Sequence, residues 1–351
     1  MEKRSILNSR IFKISRIYAF FMLLWAFPAL AFCQPKADEG KDKPFDPKEA
    51  IFEHIGDSHS WPVFGKIKIA LPVILYTDKG LDIFMSNNLH EDAAYQAKNY
   101  SYILEGNKVK VADASGKADE SKKVWDFSIT RNVASMWFAM IVLLIIFGSV
   151  SRSYKKRAGK APKGLQSVME PLIVFVRDDV AIPNIGIKAA KFMPLLLTVF
   201  FFILLNNLLG LVPFFPGAYN LTGNIAVTLV LSFIILLVIN FSANKYYWKH
   251  IFTPDIPLWL YIIMVPVELI GIISKPFALM IRLFANITAG HIIVLSLISL
   301  IFIFKTLAVS PASVLFVVFM DCIELLVAFL QAYIFTMLSA LFIGMAVQEH
   351  H

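Results

Sequence analysis

Charge is scarce in this chain. Asp, Glu, Lys and Arg make up 17% of its 351 residues, whereas about a quarter of an ordinary soluble domain is charged. Cysteine is scarcer still, with only Cys33 and Cys322. Cys33 closes an N-terminal apolar segment and Cys322 lies deep in a late one, so no disulfide framework is implied. Cys322 reads as a small, buried apolar filler. There is no glycine-rich nucleotide loop and no tandem soluble repeat, which removes the usual phosphate-cradling and solenoid architectures. His54, Asp57, Ser58 and His59 invite a metal or triad reading, but two histidines in a loop without further ligands are more often ordinary polar residues.

What the chain does have is apolar surface. Hydrophobic residues make up 58%, Phe alone numbers 31, and the mean hydropathy is +0.67. This composition predicts an all-α membrane protein of about five membrane helices, two of them long and tilted, with a small β-containing exported N-terminal domain. The formal net charge of +8 sits largely in loops, where it sets orientation and need not signal nucleic acid.

The order along the chain supports four parts. Residues 1–31 read as a signal peptide: Lys3, Arg4, Arg10, Lys13 and Arg16 precede the apolar run Ile17 to Leu30, and Ala29-Leu30-Ala31 is a cleavage pattern. Residues 32–130 have soluble composition and form the exported domain. They begin with a linker around Lys36 to Lys41, with strands expected over Ile67–Tyr76 and Tyr102–Val111 and a turn at Asp78-Lys79-Gly80. Residues 131–164 hold a first membrane helix, Val133–Val150, and a basic loop with Arg152, Lys155, Lys156, Arg157, Lys160 and Lys163. That loop is expected in the cytoplasm. Residues 165–351 are the ion-translocating membrane domain. Leu165–Val176 is amphipathic and expected on the membrane surface. Phe192–Phe214 and Ile225–Phe241 are single spans, joined by a turn at Pro216, Gly217 and Asn220 and followed by Lys245 and Lys249. Leu258–Phe304 and Val314–Val347 are too long to stand upright and must tilt or break, with Pro266 and Pro276 as kink sites.

Ionisable groups at membrane depth are costly and tend to be functional. The first long segment carries Glu268, Lys275, Arg282, Asn286 and His291, the second Asp321, Glu324 and Gln331. A spacing of seven stacks Glu268, Lys275 and Arg282 on one helical face, and Glu324 with Gln331 on another. Asn286 adjoins Arg282. Arginine stays protonated and cannot relay protons, but it can repel a cation or hold an acid ionised. Glu and His can relay them. The pattern fits two half-paths separated by a fixed charge. It also fits a structural salt bridge from Arg282 to Glu268 or Glu324.

The stretch Ser274-Lys275-Pro276-Phe277-Ala278-Leu279-Met280-Ile281-Arg282-Leu283-Phe284-Ala285-Asn286-Ile287-Thr288-Ala289-Gly290-His291 closely resembles the signature helix of subunit a of the F-type ATP synthase. Glu324 followed by Gln331-Ala332-Tyr333-Ile334-Phe335 resembles that family's last helix. The likeness covers about 165 to 351. Met280 departs from it, because the family usually has a small residue there facing its partner. Some members carry Glu at the His291 position and His at the Glu324 position. An exchange that preserves one of each suggests that the two sit close and share a proton path.

The resemblance implies a non-catalytic proton-translocating subunit in a bacterial inner membrane, N-terminal domain periplasmic and C-terminus cytoplasmic. Its partners would be the c-ring and b subunits of F0, with F1 indirectly, and no cofactor, metal or nucleic acid is implied. Arg282 would face the ring carboxylate. Protons would enter by His291, Glu324, Asn286 and Gln331 and leave near Glu268, with sodium left open. Asn206 and Asn207 read as helix–helix hydrogen bonds rather than a water path. Competing readings are another ion-coupled transporter, disfavoured by the lack of internal repeats, a structural anchor for the exported domain, and an enzyme acting outside, for which residues 35–130 offer no site.

Overall fold

A computed structural model describes residues 56–347 apart from 65–66, 90–93, 107, 114–116, 120, 158, 213–216, 218, 220, 254–256, 258–259 and 305–309. The signal segment, Cys33, the linker at Lys36, His54, Pro216, Asn220 and the tail from Gln348 lie outside the described residues. The chain divides into two compact units, residues 52–291 with 324–351 and residues 1–51 with 292–323.

The N-terminal part of the first unit is β-rich. Strands β1 (Ser60–Phe64) and β2 (Ile67–Ala70) pair antiparallel. Strand β3 (Pro72–Thr77) lies between β4 (Gly80–Met85) and β8 (Trp125–Asp126). Strand β6 (Ser101–Glu105) lies between β5 (Tyr95–Gln96) and β7 (Lys108–Val111). The expected turn at Asp78 and Lys79 joins β3 to β4. Two expected strands are each divided. Ile67–Tyr76 breaks at Leu71, and Tyr102–Val111 is a hairpin turning at Gly106, whose φ of 60° suits glycine.

Alternation explains which face is buried. Val73 and Leu75 of β3 and Phe84 of β4 point inward with Tyr102, Val109 and Val111. The Tyr102 hydroxyl donates to Asp82 Oδ2 at 2.7 Å, and burial together with that carboxylate pushes its pKa up. On the opposite face Tyr76, Leu81, Ile83, Met85, Trp125 and Phe127 remain exposed.

The helices follow in order. α1 is Arg131–Lys156 and α2 is Leu165–Phe175. A π-helical turn, Val176–Ala181, leads through α3 (Ile182–Ile185) to α4 (Ala189–Gly210). α5 is Ile225–Ser242 and α6 the short Lys245–Phe252. α7 (Tyr261–Phe304) has 44 residues and α8 (Ser310–Val347) has 38. At 1.5 Å per residue α7 rises about 66 Å, twice the roughly 30 Å of a bilayer's hydrocarbon core. It runs through Pro266 and Pro276 without ending. Among the described residues, five stretches are long and apolar enough to cross a membrane. The long-helix expectation therefore holds, whereas the amphipathic Leu165 helix is continuous with the span after it. Cys322 corrects an expectation: it is exposed on α8 rather than buried.

The membrane core is built from α2, the π turn, α4, α7 and α8, around Phe192, Phe200, Ile203, Leu283, Phe335 and Ile343. Its last helix is capped from elsewhere in the chain. Asn244 Nδ2 and Lys188 Nζ donate to the Val347 carbonyl at 2.7 and 3.2 Å, satisfying an end that a helix leaves open.

The polar cluster near Asp57 does structural work at the start of α1. Asp57 Oδ1 accepts from the Asn132 amide at 3.1 Å, and the Ser58 carbonyl accepts from the Arg131 amide at 2.7 Å. Arg131 also donates to the Gly56 carbonyl. His59 Nε2 meets Asp126 Oδ2 at 2.9 Å. Burial opposes ionisation of Asp126, but the bonds from His59 and Ser128 outweigh it and hold the carboxyl below the usual aspartate range. A depressed folded-state pKa adds stability above the unfolded value of about 4, lost as pH falls through the folded value. Melting of the purified chain should therefore drop between about pH 4 and 2 more steeply than that of Asp126→Asn. Identical acid profiles for the two would show that the pair adds nothing.

Candidate functional site

Three helices of the first unit converge on one polar cavity. Its empty space is about 330 Å³, and it is lined by Asn206, Asn207 and Gly210 of α4, Tyr219 and Thr222 of the following loop, Asn286, Gly290 and His291 of α7, and Glu324 of α8. It has room for a water among several hydrogen-bonding groups. In an otherwise apolar helical bundle, such a cavity is a place where protic groups can meet water.

Two glycines let the helices come this close. A Cβ on Gly290 would sit 2.6 Å from Glu324 Oε1. A Cβ on Gly210 would sit 3.1 Å from the Tyr219 carbonyl and 3.9 Å from His291 Nε2. Glycine thus brings the α8 carboxylate against the backbone of α7, and the end of α4 against the imidazole.

The asparagine pair holds the walls. Asn207 Nδ2 donates to the Ala328 carbonyl of α8 at 3.1 Å, while its Oδ1 accepts from Thr222 Oγ1 at 2.7 Å. Asn206 Nδ2 donates to the Phe202 carbonyl at 2.7 Å, and its Oδ1 accepts from the Tyr219 hydroxyl at 3.2 Å. Burial pushes the Tyr219 pKa up, so it stays a donor. Asn207 is the expected helix–helix bond; Asn206 is fixed by its own helix and by the loop. Both also line the cavity, so the two readings of these residues coexist.

The remaining expected site residues lie outside this cavity. Arg282 is exposed on α7 and makes no ion pair among the described residues. The structural salt bridge to Glu268 or Glu324 is therefore not formed. Exposed Ala278 and Ala285 share its side of the helix. Met280, expected to face a partner, is instead buried within the chain. Gln331 is buried on α8, about 10 Å along the axis from Glu324. Glu268 is half-buried near α6, where burial and then its charge push the Tyr247 pKa up. Lys275 Nζ lies 5.6 Å from the Phe342 ring centre. Asp321 is half-buried on α8. The structure thus joins Asn286, His291 and Glu324, and leaves Arg282, Gln331 and Glu268 apart from them. Tyr219, Thr222, Gly210 and Gly290 were not singled out from the sequence. No spacing rule marks a loop tyrosine or a helix glycine as part of a cavity.

A family described as ATP synthase A chain matches residues 133–344. The chain belongs to the ATP synthase A chain family. The match takes in α1 and so begins earlier than the likeness at about 165. ATP synthase subunit a of Chloroherpeton thalassium is 53% identical over 234 residues, covering 65% of this chain and 69% of that protein. ATP synthase subunit a 2 of Chlorobaculum tepidum is 52% identical over 229 residues, covering 63% and 64%. ATP synthase subunit a of Myxococcus xanthus is 45% identical over 236 residues, covering 64% and 75%. Residues 50–127 match a separate domain of unknown function (DUF8433). Family membership and five apolar helices make the chain a multi-pass membrane protein.

Within this A chain, Asn207→Ala removes the α4–α8 bond and leaves the Thr222 hydroxyl without its acceptor. The expected cost is on the order of 1–2 kcal/mol, read as a lower melting temperature in detergent. An unchanged melting temperature would show that the bond contributes nothing.

Proposed function

We propose that this chain is subunit a of an F-type ATP synthase F0 sector, guiding protons along two half-channels past a rotating c-ring. The observation that carries the reading is Arg282. It is exposed on an apolar membrane helix, without an ion pair among the described residues. A guanidinium does not deprotonate, and an isolated charge facing hydrocarbon costs several kcal/mol. A carboxylate supplied by a neighbouring subunit removes that cost, and Arg282 in turn keeps the carboxylate ionised while the two face each other.

The cavity supplies the other half of the mechanism. His291 and Glu324 are groups that exchange protons near neutral pH, with Asn286 beside them. Gln331 continues the α8 face toward the ring, and Glu268 serves the exit on the other side. The fixed positive charge of Arg282 repels protons moving directly between the two paths. A proton crosses by riding on a ring carboxylate through rotation, and that rotation drives ATP synthesis in F1. The b subunits complete the stator.

Orientation follows from charge. Arg152, Lys155 and Lys156 end α1, Arg157, Lys160 and Lys163 follow it, and Lys245 and Lys249 follow α5, which favours the cytoplasmic side for both helix ends. The β-rich domain then lies in the periplasm behind a signal peptide at 1–31, and the C-terminus in the cytoplasm of a bacterial cell.

Arg282→Ala should abolish ATP synthesis driven by a proton gradient in membrane vesicles, with the complex still assembled. Glu324→Gln should slow proton flux several-fold without affecting assembly. Coupled synthesis by the Arg282→Ala complex would overturn the separator role, and undiminished flux in Glu324→Gln would remove the relay.

A further inference from the structure

The β-rich N-terminal domain meets a wall residue of the cavity, Tyr219, at Trp61. Trp61 of β1 is 5% exposed and packs with Leu71, Tyr219 and Leu221. Its ring meets Tyr219 edge-to-face at 6.1 Å and Phe138 of α1 at 6.3 Å. Its indole N–H donates to the Gly217 carbonyl at 3.3 Å. Gly217 and Tyr219 belong to the loop between α4 and α5. Gly217 sits tightly against the end of α4, since a Cβ there would collide with the Leu209 and Val212 carbonyls.

The contacts continue inward. Tyr219, 2% exposed, lines the cavity and donates its hydroxyl to Asn206, 1% exposed, which lines it too. Thr288 of α7 donates to the Gly223 carbonyl of the same loop at 3.4 Å. In the other direction, Asp57 and Ser58 bind the first amides of α1, so the segment leading to Trp61 is anchored three residues earlier. An indole seated this way has both of its faculties engaged, the apolar ring against aromatics and the N–H on a backbone carbonyl.

We propose that the N-terminal domain is an outer clamp on the polar cavity, with Trp61 as its positioning residue. The domain holds Gly217 and Tyr219 in place and commits the Tyr219 hydroxyl to Asn206. This sets how water and protons reach His291 and Glu324. The inference assigns a role to residues outside the A chain match, and it rests on reading the cavity as a proton path.

The test uses the assembled complex in vesicles. A Leu211→Cys probe in the cavity wall is placed in a background carrying Cys33→Ser and Cys322→Ser, and its reaction with a membrane-impermeant thiol reagent is timed. Trp61→Ala should raise the labelling rate several-fold, and Trp61→Phe, which keeps the ring but not the N–H, should raise it less. Proton flux per assembled complex, measured after removal of F1, should fall several-fold with a shifted pH profile in Trp61→Ala and in Tyr219→Phe. Unchanged labelling in Trp61→Ala overturns the clamp. Changed labelling with unchanged flux and pH profile upholds the clamp on the loop and overturns its role in proton access. Where Trp61→Ala does not assemble, the graded pair Trp61→Phe and Tyr219→Phe carries the same test, and wild-type labelling and flux in both overturn the proposal. The underlying proton reading is checked separately, since it falls if Arg282→Ala still supports ATP synthesis driven by a proton gradient, whatever happens at Trp61.

Discussion

A guanidinium cannot be neutralised in place. Burial can drive a carboxylic acid or an imidazole to its uncharged form, but arginine keeps its proton at any relevant pH. On an apolar helix the charge must therefore be matched from outside the side chain itself. Arg282 is set on an exposed face of α7 beside Ala278 and Ala285, with no ion pair among the described residues. The isolated chain is thus electrostatically incomplete at this point, and the deficit has a defined sign and place. In the proposed function a membrane carboxylate on an adjoining subunit answers it, whereas no salt bridge among the described residues does.

The cavity is the counterpart of that charge. It is built where α4, α7 and α8 come together through Gly210 and Gly290. Small residues at such crossings let helices in lipid approach closely. The carboxylate and imidazole share a space with room for water, while the arginine stands apart from it. The proposed rotary function needs relay groups and fixed charge kept distinct in this way, because a continuous wet path past Arg282 would short-circuit a gradient. The asparagines line this space and bind backbone and loop.

Much of this was legible in the sequence. Hydropathy located the five spans, because a helix in lipid needs about twenty apolar residues and little else has that signature. The sevenfold spacing of Glu268, Lys275 and Arg282 and the pairing of His291 with Glu324 followed from helical periodicity and from the family likeness. Other features depend on contacts between distant residues. His59 finds Asp126, and Asp57 caps α1, across gaps that no local pattern spans. The hairpin within 101–111 was hidden because alternation continues across its turn, with Gly106 as its sole mark. Trp61 and Tyr219 are ordinary aromatics until the fold brings them together. Met280 and Cys322 went astray for one reason: a residue's place on a long helix does not say which of its faces the rest of the chain covers.

The central claim concerns where the Arg282 charge is met. A density map of the intact F0 complex, resolving side chains at α7, tests it directly. The account predicts the guanidinium within about 4 Å of a carboxylate from an adjoining subunit, with the His291–Glu324 cavity opening to one side of the membrane only. A guanidinium folded back onto an acid of its own chain, or a cavity open to both sides, would contradict it.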